Sequence, residues 1–336
     1  MTLSEASPAL LFSGLPISRY RLEISLSRPI EQLAYMGSAW RGLIGWELQR
    51  LICPFVKRPE CKSCIIREHC PYFRLFEDQS PIPGIREMPR GYIFSSSEGQ
   101  DSGVQSLDIT LMGECIRYFP AILKAIHSGN QVGLGPSRIT YHIASIGRIL
   151  PGETLQPVPM DPDDWIGMNT AFSLSDWLAA APGVSGSTAF KLTTPVRFRK
   201  QGKYMGDMEW PYFFAAIARR LEALNCLFAG GELLGKERYE AIMSRFSGIT
   251  TLHGRLSWLD YSRYSSRQHK KVSMGGLIGT AAFEASEAWL SPWLQAASLV
   301  HVGKGASMGL GKIVVNGQNN DLVFEKSPDG AVREYR

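Results

Sequence analysis

VGKGASMGLGKIVV, residues 302–315, is a glycine-rich loop that runs directly into an apolar strand. Glycine has no Cβ atom and adopts positive φ freely, so another backbone or a phosphodiester can approach such a loop closely. A helical pattern precedes this loop, whereas the phosphate loops of nucleotide-binding domains follow a strand and open a helix. The order therefore excludes that class of site. Candidate contacts to a phosphate backbone are Gly303, Lys304, Gly305, Gly309, Gly311 and Lys312, and a turn that merely packs on a neighbouring helix is the alternative.

Length and composition bound the possibilities. The chain has 336 residues, 44% of them hydrophobic, which is enough for two globular domains with a core each. No apolar run reaches the roughly 18 residues of a membrane-spanning helix, and the N-terminus lacks the basic segment of a secretory signal. We expect a cytoplasmic protein without a membrane partner. The net charge is +5, and the basic excess lies after residue 187, so the second half is the better candidate for binding a polyanion.

The order of predicted elements repeats along the chain. Alternating apolar residues predict a strand at Arg19–Ser27, and a helix follows whose Arg41 and Arg50 lie off its buried face. Two strands, a second helix and a strand at Ile139–Ile146 complete the first half. The second half repeats this order from Lys191–Arg199 to the glycine-rich loop and its strand. Strand, helix, strand, strand, helix, strand is the order of a ferredoxin-like domain.

We therefore predict an α+β protein of two tandem ferredoxin-like domains, each βαββαβ as in RNA-recognition motifs. The domains span residues 1–150 and 188–336, with a Pro- and Gly-rich linker or cover segment at 151–187 and a Cys₄ insert at 53–78. A four-stranded sheet with both helices on one face leaves its other face open. Many RNA-binding domains of this order bind RNA on that face.

A group of cysteines gives the sharpest local signal: Cys53, Cys61, Cys64 and Cys70. In a cytosolic protein such spacing favours a metal site over disulfides. A tetrahedral Zn²⁺ ion suits four thiolates, and an iron–sulfur cluster also takes four, so ligand type leaves both open. We predict zinc. Because protein ligands fill every position and none is left open for water, the site is predicted to be structural rather than catalytic.

A basic stretch, DYSRYSSRQHKK at residues 260–271, joins two predicted strands. Arginine binds phosphate oxygens through its planar fork, lysine adds a point charge, and tyrosine stacks on an unpaired base. We predict a hairpin that contacts RNA, whereas the alternative is a solvated hairpin whose charges only prevent edge pairing. The residues concerned are Arg263, Tyr264, Arg267, His269, Lys270 and Lys271.

Together these residues resemble the CRISPR-associated repeat-RNA-processing endoribonucleases of the RAMP superfamily. The resemblance rests on the tandem halves, the glycine-rich loop and the basic stretch, which is followed by Gly275-Gly276-Leu-Ile-Gly279. In the first half it rests on Trp40-Arg-Gly-Leu-Ile-Gly45. The resemblance implies a metal-independent nuclease that cuts precursor CRISPR RNA within each repeat by attack of a ribose 2′-hydroxyl on the adjacent phosphate. It implies 2′,3′-cyclic phosphate (or 3′-phosphate) and 5′-hydroxyl ends. It also implies that the enzyme can retain the crRNA and associate with other subunits of a CRISPR effector complex.

The general base is an open question, because many members of this family carry a histidine shortly after the first helix. In this chain the nearest histidine, His69, lies inside the cysteine group. Histidine suits proton transfer at neutral pH, so His269 in the basic stretch and His301 at the mouth of the loop are candidates. A histidine-free mechanism would stabilise the transition state with other side chains, namely Arg263, Tyr264 and Arg267, or Arg41 and Arg50.

Two further functions fit the same residues. The first is a non-cleaving RAMP subunit that binds crRNA as a scaffold, which the missing histidine keeps open. The second is a metal-knuckle regulator that recognises nucleic acid through its Cys₄ insert. The basic excess stands against the second, since it lies in the other half of the chain.

Overall fold

The computed structural model describes residues 7–28, 36–55, 57, 60–78, 88–96, 104–165, 171–183, 188–249, 251–265, 270–315, 323–326 and 332–335. A short helix, α1, precedes the first half, which then follows the predicted order strand, helix, strand, strand, helix, strand. Its elements are α1 (Pro8–Leu11), β1 (Pro16–Leu26), α2 (Gly37–Ile52), β2 (Tyr92–Ser96), β3 (Val104–Met112), α3 (Phe119–Gly129) and β4 (Tyr141–Ile149).

The first sheet is antiparallel, with strand order β2-β3-β1-β4. Along β1 the side chains of Tyr20, Leu22 and Ile24 are buried, as the alternating pattern predicts. They belong to the same core cluster as Trp40 of α2 and Phe119 of α3, so the core of this half lies between its sheet and its helices. The opposite face of the sheet carries Arg21, Asp108 and other polar side chains.

The segment between the halves packs against the first of them. It contains β5 (Leu155–Pro157), which extends the sheet beside β4, β6 (Phe172–Ser173), which pairs with the start of β1, and the short helix α4 (Leu174–Ala179). Trp165 packs edge-on against Tyr20 with ring centroids 5.3 Å apart. The described part of residues 151–187 is thus integrated into the fold.

The second half repeats the ferredoxin-like order and adds three two-stranded hairpins and a helix. Its sheet has the order β10-β13-β7-β14, equivalent to the order in the first half. The tandem ferredoxin-like prediction is therefore confirmed. The elements are β7 (Thr188–Val196), β8 (Arg199–Lys200), β9 (Lys203–Tyr204), α5 (Trp210–Ala229), α6 (Lys236–Phe246), β10 (Thr251–Leu259), β11 (Ser262–Ser265), β12 (Lys270–Ser273), β13 (Gly276–Phe283), α7 (Ser291–Val300), β14 (Ile313–Val315), β15 (Val323–Lys326) and β16 (Val332–Tyr335).

The halves meet where the glycine-rich loop packs on α2 and β2. A Cβ atom at Gly37 would overlap the carbonyl oxygens of Met308 and Phe94, and one at Gly309 would lie 2.9 Å from the Phe94 oxygen. Real Cβ atoms do not approach so closely, so glycine is required at both positions for the halves to dock. No helix in the described ranges is long and apolar enough to cross a membrane.

Candidate nucleic-acid interface

Protein atoms fill the space around the glycine-rich loop. A Cβ atom at Gly303 would lie 2.7 Å from the Arg197 carbonyl oxygen. The backbone N–H groups of Met308 and Gly309 donate to carbonyls within the loop, and that of Lys312 donates to Thr194 Oγ1 at 2.8 Å. The glycines thus have a packing role that sequence reasoning held only as the alternative. Backbone contact between this loop and a phosphate stays a prediction.

The basic stretch forms the predicted hairpin, β11 with β12, in which Arg263 lies opposite Val272 and Tyr264 opposite Lys271. Lys270 and Lys271 are exposed. Two predicted site residues, Arg267 and His269, lie outside the described residues, and Tyr264 is described only as part of β11.

An arginine pair lies where the two halves meet: Arg41 of α2 and Arg263 of β11 are near enough for the charge of Arg41 to affect the pKa of Arg263. Arg41 donates its Nε–H to the hydroxyl of Tyr92 at 3.0 Å, and its guanidinium carbon lies 5.3 Å from the ring centroid of Phe76. Burial lowers the pKa of Arg263, and the positive charge of Arg41 lowers it further. Like charges repel, so this arrangement favours an anion between or beside the two groups.

One donor of this pair is unused. Arg263 Nε is buried and has no hydrogen-bond partner among the described residues. Leaving a buried N–H group unsatisfied costs about 1–3 kcal/mol, more when it is charged.

Two further residues, Tyr261 and Ser38, belong to the same site as the arginine pair. The sequence alone singles out neither of them. Tyr261, which precedes β11, shares a side-chain hydrogen bond with Ser38 in the first turn of α2. Burial raises the pKa of Tyr261, partly opposed by that hydrogen bond and by the charge of Arg263. Tyr261 lies within the basic stretch, so its position was a usable signal, whereas Ser38 offered none.

The arrangement therefore combines two guanidinium groups, a protonated tyrosine hydroxyl and the N-terminal turn of a helix. Each of these stabilises negative charge. The guanidinium groups are cations, the tyrosine hydroxyl donates a hydrogen bond, and the N–H groups of a first helical turn carry partial positive charge. Donors held in advance around a phosphate stabilise the extra charge that develops when a nucleophile attacks phosphorus. The charges and donors of this arrangement suit a phosphodiester and its transition state.

Arg50 lies apart from this pair. It donates to Glu47 Oε2 at 2.8 Å and to Ser128 Oγ at 2.6 Å, and it sits nine residues after Arg41 on α2. At a rise of about 1.5 Å per residue the two Cα atoms are separated by about 13 Å along the helix axis. Of the two helix arginines, the structure brings only Arg41 to Arg263.

His301 occupies a buried position between the halves. It is 4% exposed, and its Nδ1 lies 3.2 Å from the Leu310 carbonyl oxygen, which can only accept a hydrogen bond. Burial lowers its pKa to about 3, and Lys312 and Arg220 contribute in the same direction. A neutral histidine enclosed by protein does not suit proton transfer from RNA.

The four cysteines predicted to bind metal line a single cavity at the end of α2. Cys53 follows the helix, Cys61 and Cys64 flank a 3₁₀ turn, and Cys70 ends a second one. All four are half-buried free thiols. Within the described ranges, however, no three His, Cys, Asp or Glu side chains are arranged to hold a metal ion. The metal knuckle is not confirmed and stays a prediction.

Comparison with known families finds one match in each half of the chain. Residues 190–313 match the family of the CRISPR-associated endoribonuclease Cas6, and residues 15–169 match the family AF_1859_N, described as an N-terminal domain. The second half of the chain thus matches a Cas6 endoribonuclease family over residues 190–313. The resemblance to RAMP-superfamily nucleases of CRISPR RNA processing is thereby confirmed. The regulator alternative has no such support.

Solved structures share the fold over most of the chain. The product complex of a Cas6 protein (TTHB231) is 15% identical with a TM-score of 0.55, covering 89% of this chain and 99% of that one. Cas6 of Thermus thermophilus is 14% identical with a TM-score of 0.52, covering 90% and 98%. A partial Cas6-RT-Cas1–Cas2 complex is 13% identical with a TM-score of 0.52, covering 94% of this chain and 49% of the other. No curated protein matches by sequence.

Proposed function

We propose that the protein cleaves precursor CRISPR RNA within its repeats at a site centred on Arg41 and Arg263. The observation that carries this proposal is the arginine pair, in which the two halves hold like charges together and leave Arg263 Nε without a partner among the described residues. Such a pair is costly in the free protein. Its cost is offset when a phosphodiester binds.

The proposed chemistry is attack of a ribose 2′-hydroxyl on the adjacent phosphorus. A bond forms between the 2′-oxygen and phosphorus, and the bond from phosphorus to the 5′-oxygen of the next nucleotide breaks. The 2′-hydroxyl proton passes to a base and the departing 5′-oxygen gains a proton, which leaves a 2′,3′-cyclic phosphate and a 5′-hydroxyl. We propose that this step needs no metal ion, because Arg41 and Arg263 supply the positive charge that stabilises the phosphorane.

Proton transfer is assigned to residues on the same hairpin. Tyr261 keeps its proton at neutral pH because burial raises its pKa, so it can donate a hydrogen bond to a phosphate oxygen or the leaving oxygen. His269 remains our proposed base, since it lies between β11 and β12 in sequence and follows Arg263 by only six residues. Tyr264 and Arg267 belong to the same proposal as contacts to the RNA.

Binding partners are proposed by analogy with the structural neighbours. One neighbour is described as a product complex and another as a complex of Cas6 with RT, Cas1 and Cas2. We propose that this protein likewise binds CRISPR RNA, can retain it after cleavage, and can associate with other CRISPR proteins.

We also propose a structural zinc ion at Cys53, Cys61, Cys64 and Cys70, with an iron–sulfur cluster as the alternative. The support is that all four free thiols line one cavity. Metal binding would draw thiolates together and stabilise a segment of short turns that has little core of its own. The ion would have no part in cleavage.

The proposal is tested with labelled CRISPR repeat RNA incubated with the protein in EDTA. We expect a single cut with a cyclic phosphate end, and no cut when the nucleotide before the scissile phosphate is 2′-deoxy. A cut that requires added Mg²⁺, or one that survives the 2′-deoxy substitution, would overturn the mechanism. Tight binding without any cut would favour the non-cleaving scaffold.

A further inference from the structure

A second basic hairpin, absent from the sequence-based predictions, follows β7. Its strands β8 and β9 pair Arg199 with Tyr204 and Lys200 with Lys203. Gln201 and Gly202 form the turn with φ of 51° and 82°, a conformation typical of tight hairpins. Arg199, Lys200 and Lys203 are all exposed. The hairpin therefore presents three cations within five residues.

Arg197 fixes this hairpin to the rest of the candidate interface. It is 4% exposed, its Nη1 donates to the Ser273 carbonyl at 2.7 Å, and its own carbonyl accepts the N–H of Lys304 at 3.0 Å. Its guanidinium carbon lies 4.2 Å from the ring centroid of Tyr204. The side chain of Arg197 thus contacts the end of β12 and strand β9, and its backbone carbonyl contacts the glycine-rich loop.

The two hairpins consequently share one end of the second sheet. Leu277 at the start of β13 pairs with Val196 at the end of β7. The hairpin that follows β7 and the hairpin that precedes β13 therefore lie at the same end of the sheet. Exposed Lys270 and Lys271 lie on β12, whose last residue, Ser273, accepts the hydrogen bond from Arg197. Lys200 pairs with Glu209 at 2.7 Å, and Asp207 is also exposed in this part of the chain. Arg199 and Lys203 form no ion pair with any described residue, so they carry the net positive charge of the hairpin.

The side chains also indicate how this surface would bind. Arg199 joins Arg197 against Tyr204, at 4.7 Å from the ring centroid, so guanidinium groups take up the aromatic surface that a base would need. The remaining exposed groups are cations, which bind phosphates without reading base identity.

From this we infer that the β8–β9 hairpin is a second RNA contact, which binds the phosphate backbone of the repeat RNA away from the scissile phosphate. The inference rests on the proposed function, because the RNA held here is the one cut beside Arg41 and Arg263. The β8–β9 hairpin contributes to the affinity for RNA and to its dependence on salt, and the arginine pair contributes to the rate of cleavage.

The test compares the double variant Arg199→Ala with Lys203→Ala against Lys236→Ala with Arg238→Ala, which removes the same charge from the exposed surface of α6. Binding is measured with a 2′-deoxy repeat RNA over a series of salt concentrations, so that it does not depend on cleavage. We expect the hairpin variant to bind about tenfold or more weakly at low salt, with a salt slope smaller by about two units. The α6 control should bind like the wild type.

Single-turnover cleavage at saturating RNA is the second readout, and the hairpin variant should cut at the wild-type rate. The inference is overturned if both double variants lose the same affinity, or if the hairpin variant keeps the wild-type salt slope while its melting temperature shows that it is folded. If no protein cleaves but the binding pattern holds, the proposed chemistry fails and the second contact stands.

Discussion

Lys312 Nζ of the second half lies 3.7 Å from Asp108 Oδ2 of the first, across the seam between the two ferredoxin-like halves. Arg21 completes the group, donating to both oxygens of Asp108 at 2.6 and 2.9 Å. Burial alone would raise the pKa of Asp108, but the Arg21 hydrogen bond and the charge of Lys312 lower it below its ordinary value. A buried carboxylate thus ties the glycine-rich loop to the first sheet.

Asp108→Asn should destabilise the protein by about 3 kcal/mol at pH 7, because it leaves Arg21 and Lys312 without their counter-charge. A group whose pKa is lowered on folding stabilises above its unfolded pKa, and this contribution disappears as the pH falls through the folded value. Wild type should therefore lose stability below about pH 4, and the variant should lose less over that range. Urea unfolding at several pH values measures both effects. Glu240→Gln, at an exposed ion pair, is the control, and equal losses in the two variants would contradict the account.

Arg41→Ala and Arg263→Ala should each slow single-turnover cleavage about 10²- to 10³-fold, as expected for loss of a group that stabilises transition-state charge. Affinity for uncut RNA should change much less. Arg238→Ala, on the exposed surface of α6, should cut normally. A rate within threefold of wild type for either arginine of the pair, at saturating RNA, would remove that residue from the site.

His269→Ala should slow cleavage by about 10²- to 10⁴-fold with little change in affinity, since it is the proposed general base. The pH profile of the cleavage rate should also lose its limb near neutral pH. Normal cleavage by this variant would favour a histidine-free mechanism built on Arg41, Arg263 and Tyr261.

His301 is expected to affect stability through pH. Its pKa is lowered on folding to about 3, so between that value and its ordinary value of 6.5 the unfolded chain binds a proton that the folded protein does not. Stability should consequently fall by up to about 1.4 kcal/mol per pH unit below pH 6.5. In thermal unfolding, His301→Gln should reduce this dependence of stability on pH. The pH profile of the cleavage rate should keep its limb near neutral pH. A variant with the wild-type slope would show that another group carries it.

Cys61→Ser combined with Cys64→Ser should release metal and lower the melting temperature, while folded protein still cleaves RNA. Metal analysis of the purified protein with and without the substitutions provides the measurement. Cys226→Ser, a half-buried thiol outside the group, is the matched control. A wild type without metal, and a double variant as stable as the control, would refute the zinc proposal.

The sequence by itself determined the repeated strand and helix order and the basic hairpin, because these features depend on local periodicity. Apolar residues at every second position of β1 can be buried together only on one face of a strand, and the structure buries Tyr20, Leu22 and Ile24 in that way. The same dependence on local pattern explains why the sequence alone does not predict the β8–β9 hairpin. Arg199 read as the end of a strand, since nothing in its neighbours showed that the chain turns back through Gln201 and Gly202.

Only the tertiary structure decided which of the candidate residues meet. Arg41 and Arg263 belong to different halves, so their proximity depends on how the halves dock, and docking depends on backbone contacts such as Gly37 against Met308. Burial is likewise a property of the whole fold. The sequence offered His301 as a base at the mouth of the glycine-rich loop, whereas the fold buries it and holds it neutral.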